Sequence, residues 1–173
     1  MQDPTERPAK SGSVDRNAGP EMRVQVRRAQ SDDTPELLDI WLRSVRATHA
    51  FLTGADITFL QPRVGDYLAS DASELYVVCT DAGAVAGFIG LSGNEIEALF
   101  LAPEHLRRGL GTRLIAEARA LRPGAELTVD VNEQNTDARR FYEASGFVVE
   151  GRSELDGQGL PFPLLHMRSR AVA

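Results

Sequence analysis

Apolar and polar positions divide the chain after Met22 into a succession of short elements. Met22 to Arg27 alternates apolar with polar, as a half-buried strand does. Ser31-Asp32-Asp33-Thr34-Pro35 then opens a helix, with acidic caps and an early proline. That helix carries Leu37, Leu38, Ile40, Trp41, Leu42 and Val45 and ends near Thr48-His49. Thr53-Gly54 interrupts, and a second helix covers Asp56 to Leu68. Glu74 to Thr80 and Ala84 to Leu91 read as two strands of a hairpin turning at Asp81-Ala82-Gly83. Ser92-Gly93-Asn94 leads into a third apolar run, Ile96 to Leu101.

The third run ends at Ala102-Pro103, and a polar connection with Arg107 and Arg108 leads to Gly109-Leu110-Gly111-Thr112. From there Leu110, Leu114, Ile115, Ala118 and Leu121 fall at helical spacing. Strand, glycine turn and helix in this order point several unbonded N–H groups into one small space, at the positive end of the helix dipole. A phosphate or pyrophosphate suits that space, the glycines letting the backbone come close and the two arginines adding charge. A tight turn with no ligand would produce the same fragment. The phosphate loop G-x-x-x-x-G-K-[ST] does not fit, since Lys10 is the only lysine. The dinucleotide fingerprint fails as well, because Leu114 holds the place of its third glycine.

After Pro123-Gly124, Glu126 to Val131 alternates as a strand, and Asn135 caps a helix from Thr136 to Ser145 that Gly146 ends. Phe147 to Glu154 and Leu164 to Ser169 are two further strands. The order β-α-α-β-β-β-α-β-α-β-β has no internal repeat. It predicts an α/β (α+β) fold with a mixed sheet and helices on both faces.

A chain of 173 residues, 42% of them hydrophobic, is long enough for one domain with a proper core. Residues Met22 to Ala173 are expected to form it. Met1 to Glu21 carries too few apolar residues to offset its ordering entropy and is expected to be disordered, with Met22 an alternative start. The net charge of −6 leaves no basic footprint for nucleic acid. No stretch has the length and apolarity of a membrane span, and no secretory signal opens the chain. A cytoplasmic protein is expected. Cys79, the single cysteine, sits in an apolar run and reads as a core thiol. The three histidines and Cys79 have no metal-ligand spacing.

Asn135-Thr136-Asp137-Ala138-Arg139-Arg140-Phe141-Tyr142-Glu143-Ala144-Ser145-Gly146-Phe147 resembles the N-x-x-A-x-x-F-Y-x-x-x-G-F pattern of the GNAT superfamily of N-acetyltransferases. The element order and the turn at Gly109 to Gly111 agree with it, over roughly Met22 to Arg170. Ala47 to Leu52, Val131 to Asn135, Gly151-Arg152-Ser153 and Pro161 to Leu165 are similar to the small bacterial acetyltransferases of the YjaB type. One departure is Leu106, which stands where the family turn [QR]-x-x-G-x-[GA] carries Gln or Arg. The resemblance implies a mostly antiparallel central sheet of about seven strands flanked by four helices.

It also implies acetyl-CoA as co-substrate, with no metal. The pyrophosphate would lie on Arg107, Arg108, Gly109, Leu110, Gly111 and Thr112. The pantetheine arm would run along Leu99, Phe100 and Leu101, with Asn135 bonding it across the cleft. A backbone N–H near Leu99 or Phe100 would hold the oxyanion, and Tyr142 resembles the family's general acid. Reference pKa values of about 10 for a phenol and about 8.5 for a thiol make that proton transfer mild. In a regular strand Glu95 and Glu97 share a face with Leu99 and Leu101, so either could be the base, with Glu97 nearer the thioester. His49, Arg152 and His166 are candidates for the acceptor pocket. The reading is an acetyl-CoA-dependent N-acetyltransferase acting on a primary amine of a small molecule or protein. A catalytically silent CoA-binding or regulatory module is the alternative. Either a monomer or a homodimer is compatible with it.

Overall fold

A computed structural model describes residues 24–170. The elements are β1 (Gln25–Arg28), a 3-10 turn (Ser31–Asp33), α1 (Thr34–Thr48), α2 (Gly54–Ala69), β2 (Glu74–Cys79), β3 (Val85–Ser92), β4 (Glu95–Leu101), a second 3-10 turn (Pro103–His105), α3 (Leu110–Leu121), β5 (Thr128–Asn132), α4 (Thr136–Ala144), β6 (Phe147–Ser153) and β7 (Leu164–Ser169). One seven-stranded sheet runs β1-β2-β3-β4-β5-β7-β6, with every neighbouring pair antiparallel except β4 and β5. The expected element order and mixed sheet are therefore present. The tail Met1 to Glu21 and the expected strand start at Met22 and Arg23 lie outside the described residues.

Local chemistry moves two boundaries. α2 begins at Gly54, two residues before the expected Asp56, because Thr53 and Asp56 form a reciprocal cap. The Thr53 hydroxyl accepts the Asp56 N–H at 3.1 Å, and the Asp56 carboxylate accepts the Thr53 N–H at 2.7 Å. β5 starts at Thr128 rather than Glu126, since the Leu127 N–H is taken by the buried Ser169 hydroxyl at 2.9 Å.

Helices cover both faces, as the order of elements implies. α1 turns Leu37, Ile40, Trp41 and Val45 onto Val77, Phe88 and Ala102, and Leu68 of α2 completes that cluster. On the other face Leu110, Leu114, Ile115 and Ala118 of α3 join Tyr142 of α4 against Ile89, Val129 and Met167.

β4 is not a regular strand. Gly90 pairs with Ala98 and Leu91 with Ile96, so Glu97 is an extra, unpaired residue. The bulge puts Ile96 on the same face as Leu99 and Leu101, packed under α3. This corrects the expectation that Glu95 and Glu97 share the face of Leu99 and Leu101. Glu97 turns instead to the α2 side, where its carboxylate accepts the Ser73 hydroxyl at 2.5 Å. The Tyr67 hydroxyl is buried beside that pair, without a hydrogen bond of standard geometry to either member.

Gly90 makes room for this corner: a Cβ there would stand 1.9 Å from the Tyr67 hydroxyl oxygen. Gly90→Ala should therefore lower stability by about 1–3 kcal/mol in urea unfolding, the usual cost of overpacking. Adding Tyr67→Phe should recover part of that loss, and no recovery would place the clash elsewhere.

Candidate active site

β4 and β5 run parallel but pair only at Glu95 with Thr128 and Ile96 with Val129. Beyond that point β4 continues on β3 and β5 continues on β7, and the two separate. A cleft of about 610 Å³ fills the wedge, lined by Ala98 to Leu101 of β4 and Val129 to Asn132 of β5. The β4 backbone along this edge has no neighbouring strand, so its outward N–H and C=O groups are open to an extended ligand.

The α3 N-terminus closes one end. Gly109 caps the helix in the left-handed region, φ 78°, and Arg107 is also left-handed at φ 59°. Leu110, Gly111 and Thr112 follow in the first turn, whose N–H groups have no helical acceptor. The two glycines do different work. A Cβ on Gly109 would meet open space, whereas one on Gly111 would press the Phe141 ring at 3.0 Å. Gly111 thus lets α3 and α4 pack closely, which revises the expectation that both glycines serve ligand approach. Arg107 lines the cleft beside the half-exposed Leu106, but Arg108 does not.

Tyr142 of α4 forms part of the cleft wall, 6% exposed, with edge contacts to Phe141 and Phe147. Burial pushes its phenol well above the usual range. Asn135 is the α4 N-cap, its Oδ1 accepting the Ala138 N–H at 3.1 Å, which leaves the amide Nδ2 as its free donor in the cleft. Nδ2 stands 3.5 Å from His49 Nε2, across the opening. The Thr48 hydroxyl gives its proton to the Ser44 carbonyl at 2.8 Å, so His49 Nδ1–H must donate to Thr48 Oγ1, also at 2.8 Å. His49 Nε2 is then a lone-pair acceptor. Burial lowers the ring to about 4, so it stays uncharged near neutrality.

The remaining candidates divide. Glu97 lines the cleft, while Glu95, Arg152 and His166 do not. Burial raises the Glu95 carboxyl, and the charges of Asp130 and Glu97 raise it further. Arg152 is committed to the Glu133 carboxylate at 2.9 and 2.8 Å and also to Glu154. It is not a free cation for an acceptor. His166 bonds Asp130 at 2.6 Å and the Ser153 hydroxyl at 2.6 Å. Asp130 lines the cleft and was not anticipated. Its signal lay in the alternation of Leu127, Val129 and Val131, which turns the residue between to the opposite face. Among the described residues no cluster of His, Cys, Asp or Glu is arranged to hold a metal ion. No helix there is long and apolar enough to cross a membrane.

A parallel pair that opens into a cleft, with a glycine-capped helix N-terminus and a buried tyrosine in its lining, suits an extended anionic ligand such as an acyl-CoA. Residues 58–170 match the acetyltransferase (GNAT) domain family, and the chain belongs to that family. It is 42% identical over 146 residues to the peptidyl-lysine N-acetyltransferase YjaB of Salmonella typhimurium, covering 84% of this chain and 98% of that one. Identity to the Escherichia coli YjaB is 40% over 146 residues, with 84% and 97% covered. The solution structure of apo YjaB from Escherichia coli superposes with a TM-score of 0.79 at 38% identity, over 87% of this chain and all of that one. The PaiA N-acetyltransferase of Thermoplasma acidophilum, solved with coenzyme A, shares the fold at TM-score 0.70 and 22% identity, over 86% and 99%. The protein is an N-acetyltransferase, and GNAT acetyltransferases use acetyl-CoA.

His49 carries a pH signature. Its folded value of about 4 lies below the reference 6.5, so the unfolded chain binds the proton first as pH falls. Stability should decline between pH 6.5 and about 4, because the unfolded state gains protons there. In urea titrations His49→Gln should show a shallower decline across that window, and equal slopes would contradict a buried neutral His49.

Proposed function

We propose that this chain transfers the acetyl group of acetyl-CoA to the ε-amine of a protein lysine by direct attack on the thioester. The observation that carries this reading is the unpaired β4 edge, which shares one cleft with the α3 N-terminus and Tyr142. The names of the YjaB relatives supply the acceptor class.

The residues present fit the donor. Arg107 and the N–H groups of Gly109 to Thr112 meet the pyrophosphate charge, where Gly109 leaves open space. Leu99, Phe100 and Leu101 present their backbone to the amides of the pantetheine arm, and Asn135 Nδ2 donates from the facing side. Acetyl-CoA supplies an activated acyl carbon whose oxygen gathers charge as the amine adds. A β4 N–H near Leu99 donates to that oxygen, in a site sheltered from water.

Glu97 takes the proton the acceptor nitrogen must lose. Oε2 is held by Ser73, which leaves Oε1 as the acceptor. Tyr142 gives its hydroxyl proton to the departing thiolate. Burial holds the phenol above the mild match with a thiol that reference values suggest. A thiolate formed against the same buried wall is raised by the same desolvation, which restores part of that match.

Free-thiol release from acetyl-CoA with a terminally blocked lysine peptide, together with an added acetyl mass, tests the reading. An active fold with no release for any amine would contradict it. Tyr142→Phe should keep acetyl-CoA affinity within about twofold and lower turnover by about 10²–10⁴-fold, the usual worth of a positioned acid. A Phe variant with more than about half the wild-type turnover would remove Tyr142 from the chemistry.

A further inference from the structure

Asp130 is the carboxylate that strand β5 brings to the cleft, and it is anchored from behind. A carboxylate can only accept, so the 2.6 Å contact fixes the proton on His166 Nδ1. The other ring nitrogen, Nε2, stands 2.6 Å from the Ser153 hydroxyl. Three strands are tied together: Asp130 of β5, His166 of β7 and Ser153 of β6. Gly151 lies directly opposite His166, where a Cβ would stand 3.4 Å from the ring.

Several arginines outside the cleft meet carboxylates: Arg27 with Asp33, Arg43 with Asp39 and Glu104, Arg122 with Glu74, Arg168 with Glu150 and Glu126. The cleft lining also holds Asp137 of α4 and the cations Arg107 and Arg140, while on the β4 and β5 side Asp130 meets a histidine and Glu97 a serine, with Glu95 close enough for their charges to raise its carboxyl. Arg152 and Arg168 flank His166 along the strands, but both are taken up by glutamates. At 44% side-chain exposure Asp130 is open to an incoming group.

We propose that Asp130, oriented by His166 and Ser153, is the residue that binds the acceptor's positive charge and so selects a cationic primary amine. This rests on the acyltransferase reading and assigns the group that reads the substrate. Asp130 touches the acceptor; His166 and Ser153 are positioning residues. The Asp130 carboxylate supplies the negative charge that attracts an ammonium, such as the side chain of a terminally blocked lysine peptide.

Steady-state kinetics with that peptide test the assignment. Asp130→Asn should raise its KM about tenfold or more and change kcat less than KM, as loss of a charge-assisted contact does. KM for aniline, which is uncharged at neutral pH, should be unaffected. Affinity of the peptide, measured by calorimetry with desulfo-CoA bound, should fall in Asp130→Asn. His166→Gln should also raise the peptide's KM while leaving kcat and the KM for aniline near wild type, a split that a merely structural role would not produce. A wild type that turns over the peptide, with KM unmoved by Asp130→Asn or with kcat lost in place of KM in His166→Gln, overturns this assignment alone. A wild type that releases no CoA with any amine overturns the acyltransferase reading and this one with it.

Discussion

Everything at the site depends on two parallel strands parting company. β4 and β5 share only two residue pairs and then follow different neighbours, so the sheet splits without losing a strand. Backbone polar groups beside a core must find partners. On the α3 side the wedge is walled by Leu99, Leu101, Val129 and Val131, so an open edge there costs stability unless an extended ligand pairs with it. The helices respect the split. α1 and α2 pack on β2, β3 and β4, and α3 and α4 seal the other face. The cleft thus offers the α3 N-terminus to an anion, and Asp130 and Glu97 to an amine.

The bulge at Glu97 is the second device. One extra residue in β4 returns Ile96 to the apolar face and turns a carboxylate toward Ser73 and Tyr67. A regular strand could not keep Ile96, Leu99 and Leu101 all under α3. Gly90 on the partner strand leaves the space that Tyr67 needs. Packing and chemistry are set by the same irregularity.

The element order was legible because long periodic runs carry it: Leu110 to Leu121 and Leu164 to Ser169 have the bounds the pattern assigns. The glycine turn and the stretch from Asn135 to Phe147 were legible for a different reason, since both are local motifs with local geometry. What pairing decides was hidden. The bulge at Glu97 arises from its register with β3, so the face of Glu95 and Glu97 was misjudged. Gly111 looked like a ligand glycine because Phe141 lies thirty residues away in the chain. Asp130, His166 and Ser153 come from three strands, and no spacing in the sequence announces their contact. Arg152 was offered as a substrate group before its carboxylate partners were visible.

Amide hydrogen exchange with and without acetyl-CoA tests the central claim most directly. If the ligand adds to the open edge of β4, exchange should slow in Ala98 to Leu101 and in Gly109 to Thr112, while the β1 and β6 edges stay unchanged. Saturating acetyl-CoA that leaves Ala98 to Leu101 as fast as in the free protein would contradict the account.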